Sequence, residues 1–105
     1  MGSLTGTTAL VTGGSRGIGR AICQGLAKQG ANIILHYNQN RSAAEETAAS
    51  IKTDVRLIQA DLSSIPETER LFDDLADTPL DFLINNAGIW RPTPRTAGGS
   101  WRTRN

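Results

Sequence analysis

Thr12-Gly13-Gly14-Ser15-Arg16-Gly17-Ile18-Gly19 is the stretch from which the whole chain is read. It follows the short apolar run Ala9-Leu10-Val11 and opens a helical pattern near Gly17. A strand, a glycine-rich bend and a helix start together make an anion site. The first-turn N–H groups have no intrahelical partner, and the helix dipole favours negative charge there. Gly13, Gly17 and Gly19 let the backbone bend tightly and let a pyrophosphate lie against it with no Cβ in the way. An ordinary βα turn that happens to be rich in glycine is the plainer alternative, and this stretch by itself leaves it open.

Outward from the bend, residues 7–12 have the short, apolar, β-branched character of a buried strand. Ile18, Ile22 and Leu26 recur every fourth residue, which predicts one apolar stripe on a helix running to about Gln29, with Gly30 as its C-cap. Ile33-Ile34-Leu35 is the next strand, apolar on both faces as a covered parallel strand should be. Ser42-Ala43-Ala44-Glu45 has the form of a capping box and predicts a second helix to about Lys52. Val55-Arg56-Leu57-Ile58 is a third strand, leading into Gln59-Ala60-Asp61. Ser64-Ile65-Pro66-Glu67 is a second capping box, whose helix buries Leu71, Phe72 and Leu75. Asp81-Phe82-Leu83-Ile84-Asn85 is a fourth strand, running into Asn86-Ala87-Gly88.

The order βαβαβαβ with short loops predicts an α/β fold, a doubly wound, open parallel sheet. Right-handed crossovers then give the strand order 3-2-1-4, with two helices on one face and the third on the other. In such sheets ligands bind at the carboxyl ends of the strands where the winding reverses. Residues 13–19 and 85–88 fall at the two strand ends that flank that point.

The 105 residues are enough for one small domain, and a formal charge of +1 argues for neither nucleic acid nor membrane. The charge is unevenly spread. Residues 1–90 hold seven Lys/Arg and ten Asp/Glu, while 91–105 hold four Arg and no acid. That break divides the chain into a nucleotide-binding domain over 1–90 and a basic tail over 91–105, read as disordered and solvated rather than as a nucleic-acid patch around Trp101. The single Cys23 cannot form an internal disulfide and reads as a small core residue. No apolar run approaches the ~20 residues of a membrane span, no secretory leader precedes the first strand, and Gly6 breaks the myristoylation pattern that Met1-Gly2 begins. Those features make a cytoplasmic protein the expectation. His36, at a strand end, reads as a neutral packing residue, and no His/Cys/Asp/Glu spacing suggests a metal.

With Thr12-Gly13-x-x-x-Gly17-Ile18-Gly19, Asp61-Leu62 after the third strand and Asn85-Asn86-Ala87-Gly88 after the fourth, residues 5–90 resemble the short-chain dehydrogenase/reductase family. Within it they look most like the 3-oxoacyl-carrier-protein reductase branch. The resemblance implies an incomplete Rossmann fold and a bound nicotinamide dinucleotide. Gly13, Gly17 and Gly19 would line the pyrophosphate, and Ser15 and Arg16 of the same bend would also bind the cofactor. Ile18 would back the nicotinamide side, Asp61 and Leu62 would meet the adenine, and Asn85, Ala87 and Gly88 would border the adenosine ribose. Tyr37, Asn38 and Arg41 fall at the adenosine end.

The choice of dinucleotide follows from charge. NAD readers carry an acid about 20 residues after the glycine bend, which accepts from the ribose 2′-OH. Here that place reads His36-Tyr37-Asn38-Gln39-Asn40-Arg41, with no acid. The lack of a repelling carboxylate, with Arg16 and Arg41 close in sequence, predicts NADP over NAD.

The resemblance also implies a catalytic serine and a Tyr-x-x-x-Lys further along, with an asparagine to assist. None is present: the only tyrosine is Tyr37 and the only lysines are Lys28 and Lys52. The expectation is therefore the cofactor-binding half of a truncated NADP-dependent carbonyl/alcohol oxidoreductase, inactive alone. A non-catalytic NADP(H)-binding module or regulator of a longer relative, and a non-functional frameshifted or mis-spliced product, stay open as alternatives. Without the helices that usually build the family's dimer, the fourth strand would be a bare edge open to self-association.

Overall fold

The computed structural model describes residues 2–86. Ala87, Gly88 and the tail over 91–105 lie outside the described residues, so the expectations placed on them do too. The elements are β1 (Thr8–Thr12), α1 (Gly17–Lys28), β2 (Asn32–Tyr37), α2 (Arg41–Ala49), β3 (Val55–Gln59), α3 (Ile65–Asp74) and β4 (Phe82–Asn85). All strand pairs are parallel and the sheet order is β3-β2-β1-β4, as the crossover rule predicts. The register sets Leu10 beside Ile34 and Leu83, and Val11 beside Leu35 and Ile84.

Alternation along the strands divides the interior in two. Ala9, Val11, Ile33, Leu35 and Tyr37 face α1 and α2, where they meet Cys23 and Ala44. Leu10, Ile34 and Ile58 face α3, where they meet Leu71 and Leu75. A fully buried leucine such as Leu10 or Leu71 contributes about 1.5–3 kcal/mol through removal of its surface from water.

In α1, Ile22 and Leu26 of the expected stripe pack against the core, and Ile18 alone departs from it. Gly19 and Cys23 are the buried positions of the helix, with Ile22, Leu26 and Ala27 beside them. Ile18 is 72% exposed, while its neighbour Gly19 is buried against the Gly13 carbonyl. Past the C-cap Gln29, Gly30 adopts φ +99° and donates to the Ala27 carbonyl at 2.9 Å, closing the helix. Cys23 is fully buried, and loss of hydration pushes its thiol up to about 11, as suits a packing residue.

The caps depart from expectation in an instructive way. α2 begins at Arg41 with Asn40 as its N-cap, Oδ1 accepting from the Ala43 N–H at 2.9 Å, rather than with a box at Ser42. Glu45, freed from that box, pairs with Arg41 one turn earlier. α3 keeps half of its box: Ser64 Oγ accepts from the Glu67 N–H, but Glu67 Oε1 reaches back to the Asp61 N–H. That longer reach ties the start of α3 to the end of β3. Leu71 and Leu75 are buried as expected, with Phe72 half-buried beside them. Among the described residues β4 pairs on one side only, and Phe82 and Leu83 are 36% and 52% exposed.

Candidate functional site

The bend between β1 and α1 is shaped by its backbone. Gly13 (φ +64°) and Gly17 (φ +61°) both lie in the left-handed region that L side chains avoid. Gly19 is small for a different reason: a Cβ there would run into the Gly13 carbonyl and come within 2.6 Å of Asn86 Nδ2. The first turn of α1 therefore packs directly on the bend. Arg16, the N-cap residue, makes no side-chain cap, so the first-turn amides of α1 are left to a ligand.

Several elements hold the bend in place. From β2, His36 Nδ1 accepts from the Gly13 N–H at 2.9 Å and the His36 carbonyl from the Gly14 N–H at 3.0 Å. From α2, buried Thr47 donates its hydroxyl to the Ser15 carbonyl at 2.8 Å. After β4, Asn86 Nδ2 donates to the Gly13 carbonyl at 3.2 Å, and its N–H donates to Thr12 Oγ1 at 2.8 Å. Asn85 Oδ1 lies 3.0 Å from Thr12 Oγ1 and accepts its proton. The two motifs distant in sequence are thus bonded together at the point where the winding reverses.

Above this framework lies a cavity of about 750 Å³, within the usual range for a small-molecule site. Gly13, Ser15 and Arg16 line it from the bend, His36, Asn38, Gln39 and Asn40 from the end of β2, Asp61, Leu62 and Ser63 from the end of β3, and Asn86 from β4. Among the described residues its charged lining is one cation and one anion, Arg16 and Asp61. The Asp61 carboxyl is held below its ordinary range first by the Ser63 hydroxyl at 2.6 Å and then by the Ser63 amide. The first turn of α2, which opens beside Asn40, carries no acidic residue.

Of the residues singled out in the sequence, the cavity brings together Gly13, Ser15, Arg16, Asn38, Asp61 and Leu62. Gly17, Ile18 and Gly19 form the turn that follows Arg16, and Asn85 braces Thr12. Tyr37 and Arg41 lie outside the lining. Tyr37 points into the α1/α2 core, where its hydroxyl accepts from Arg41 Nη1 at 2.8 Å, while Arg41 Nε holds Glu45 at 2.9 Å. That pairing raises the Arg41 pKa, through Glu45 first and Tyr37 second. His36, Gln39, Asn40, Ser63 and Thr47 were not anticipated at the site. A polar side chain between Leu35 and Tyr37, after the apolar run Ile33-Ile34-Leu35, is the one signal that pointed to His36. The described residues contain no group of His, Cys, Asp and Glu able to hold a metal ion, and no helix long and apolar enough to cross a membrane.

Comparison with known proteins accounts for this arrangement. The family model for short chain dehydrogenase matches residues 7–101. A short-chain dehydrogenase/reductase of Pestalotiopsis microspora is 42% identical over 91 residues, covering 82% of this chain and 34% of the relative. A hydroxynaphthalene reductase-like protein of Metarhizium robertsii is 43% identical over 97 residues, covering 86% and 36%. Among solved structures, an angucycline C-6 ketoreductase with bound NADP superposes with a TM-score of 0.76 at 41% identity, over 85% of this chain and 39% of that one. The chain thus spans about a third of the length of the curated relatives it matches. With the glycine bend, the strand order and the Asn85–Asn86 brace all in place, the chain belongs to the short-chain dehydrogenase family.

Proposed function

We propose that these residues bind NADP(H) as the cofactor-binding half of an NADP-dependent reductase acting on a carbonyl or alcohol. The reading rests most on the cavity's junction between the glycine bend and the end of β2. There Arg16 shares the lining with the uncharged Asn38, Gln39 and Asn40, where an NAD reader would place an acid. The dinucleotide fits the framework: the bend carries no side chain at Gly13, Gly17 or Gly19, and the first-turn amides of α1 supply donors for the pyrophosphate. Arg16 and the acid-free first turn of α2 favour a dianionic 2′-phosphate. Asp61 and Leu62 would meet the adenine, and Asn85, with Ala87 and Gly88, the ribose. Tyr37 and Arg41 act one step back, with Arg41 turning to the 2′-phosphate only by leaving Glu45. Bound NADP in the related ketoreductase supports the same choice.

The bound cofactor supplies hydride. The 105 residues contain no Tyr-x-x-x-Lys to move the accompanying proton, so in this reading turnover needs residues beyond these. The protein acts in the cytoplasm. NADP⁺ and NAD⁺ dissociation constants, measured by calorimetry on the parent and on Arg16→Ala, test the proposal. NADP⁺ binding about tenfold or more tighter than NAD⁺, with most of the margin lost in Arg16→Ala, is expected from a charge-assisted contact. Equal affinities in the parent protein would overturn it.

A further inference from the structure

We propose that His36 is a positioning residue: as a neutral imidazole bearing its proton on Nε2 it fixes the glycine bend for the dinucleotide, and it releases that bend when it takes a second proton. The inference rests on the NADP(H) reading above and concerns a side chain outside the three sequence motifs.

Geometry sets the tautomer. The imidazole is 2% exposed, with Nδ1 2.9 Å from the Gly13 amide nitrogen and Nε2 2.8 Å from the Ala60 carbonyl oxygen. A backbone N–H can only donate, so Nδ1 must be bare. A carbonyl can only accept, so Nε2 must carry the hydrogen. The His36 carbonyl also takes the Gly14 N–H at 3.0 Å. One residue of β2 therefore engages the first two amides of the bend, while its ring fastens the end of β3 through Ala60. The donors that follow, at the start of α1, are left to the ligand. A protonated ring would set Nδ1–H against the Gly13 N–H, donor against donor, at the point where the bend leaves β1.

Burial holds the His36 pKa below its ordinary 6.5, opposed only by the bond to Ala60. Charged groups around this end of the sheet include Arg16 of the bend, Asp61 beyond β3, and Glu67 and Arg70 of α3, the last donating to the Gln59 carbonyl at 2.8 Å and paired with Asp74. Asp61 is bonded to Ser63 and Glu67 to the Asp61 amide, so neither carboxylate bonds the ring. Arg41 and Glu45 of α2 pair with each other. The switch therefore operates below 6.5.

The test uses the full chain and its variants His36→Asn, which keeps an acceptor near the position of Nδ1, and His36→Leu, which keeps none. Because a phosphomonoester itself takes a proton near about pH 6, the readout is the NADP⁺ affinity of the parent relative to His36→Asn across about pH 5 to 8. In the parent, affinity should fall about tenfold further on acidification than in His36→Asn. His36→Leu should bind about tenfold more weakly than the parent at neutral pH, with His36→Asn recovering most of that loss. Parallel pH profiles for parent and His36→Asn would overturn the proposal. Imidazole ¹⁵N shifts of the unliganded chain give a second, cofactor-free reading. An Nε2–H tautomer whose protonation moves the Gly13 amide resonance supports it; an Nδ1–H tautomer, or a ring already charged at neutral pH, refutes it. If no variant binds NADP⁺ at any pH, the NADP(H) reading fails and the role of His36 in holding a cofactor site falls with it, whatever tautomer the shifts report.

Discussion

Gly19 and Gly25 both lie on α1 and meet opposite surroundings. A Cβ on Gly19 would collide with the Gly13 carbonyl and crowd Asn86, whereas one on exposed Gly25 would meet nothing within 4 Å. Gly19→Ala should therefore cost about 1–3 kcal/mol by forcing the bend off α1. Gly25→Ala should gain about 0.5–1 kcal/mol from helix propensity alone. Urea midpoints of the two variants check this, and equal shifts would mean that α1 does not pack on the bend. His36 gives the residue scale a pH signature. Its folded pKa lies below its ordinary 6.5, so the unfolded chain binds the proton first on acidification. The contribution to stability is complete above 6.5, falls as the pH drops through 6.5 toward the folded value, and levels off beneath it. Unfolding free energies measured across that range should show this slope in the parent and lack it in His36→Asn.

At the scale of elements, α2 depends on a cap that its sequence hides. Asn40 accepts from the Ala43 amide, and Asn40→Ala should lower stability by about 1 kcal/mol, while Ser42→Ala, at the place a capping box would use, should change it far less. Thermal midpoints of the two variants distinguish these sites. The element order and the β3-β2-β1-β4 sheet were legible because apolar β-branched runs and glycine stops mark each strand, and the crossover rule leaves few ways to arrange them. The α2 cap was not legible, since Asn38, Asn40 and Ser42 all have capping side chains and only the path of the chain selects among them. Ile18 fits the fourfold spacing of a buried stripe, yet it is exposed where its neighbour Gly19 is buried against the bend. Most of the cavity could be read from the bend and the strand ends, because motifs near strand termini must converge there. The clasp of His36 on Gly13 and of Thr47 on Ser15 could not, because each joins residues whose proximity exists only after β2 and α2 have packed on β1.

At the scale of the molecule, the sheet face that α3 covers is covered unevenly. Leu10 is sealed by α3, while its register neighbour Leu83 on β4 stays half in water beside an edge that pairs on one side among the described residues. Such an edge invites another strand or another chain. Sedimentation velocity should therefore show concentration-dependent association of these 105 residues, reduced in Leu83→Lys; a parent that stays monomeric at all concentrations would contradict this. The central claim, however, is that the bend between β1 and α1 holds the phosphates of NADP(H). The most direct measurement is a backbone ¹H–¹⁵N titration of the chain with NADP⁺ and, separately, NAD⁺. The account predicts saturable shifts concentrated on Ser15, Arg16, Gly17, Ile18 and Gly19 with either dinucleotide, and a further set at Asn38, Gln39 and Asn40 with NADP⁺ alone. Shifts centred on any other surface, with the bend unmoved, would contradict it.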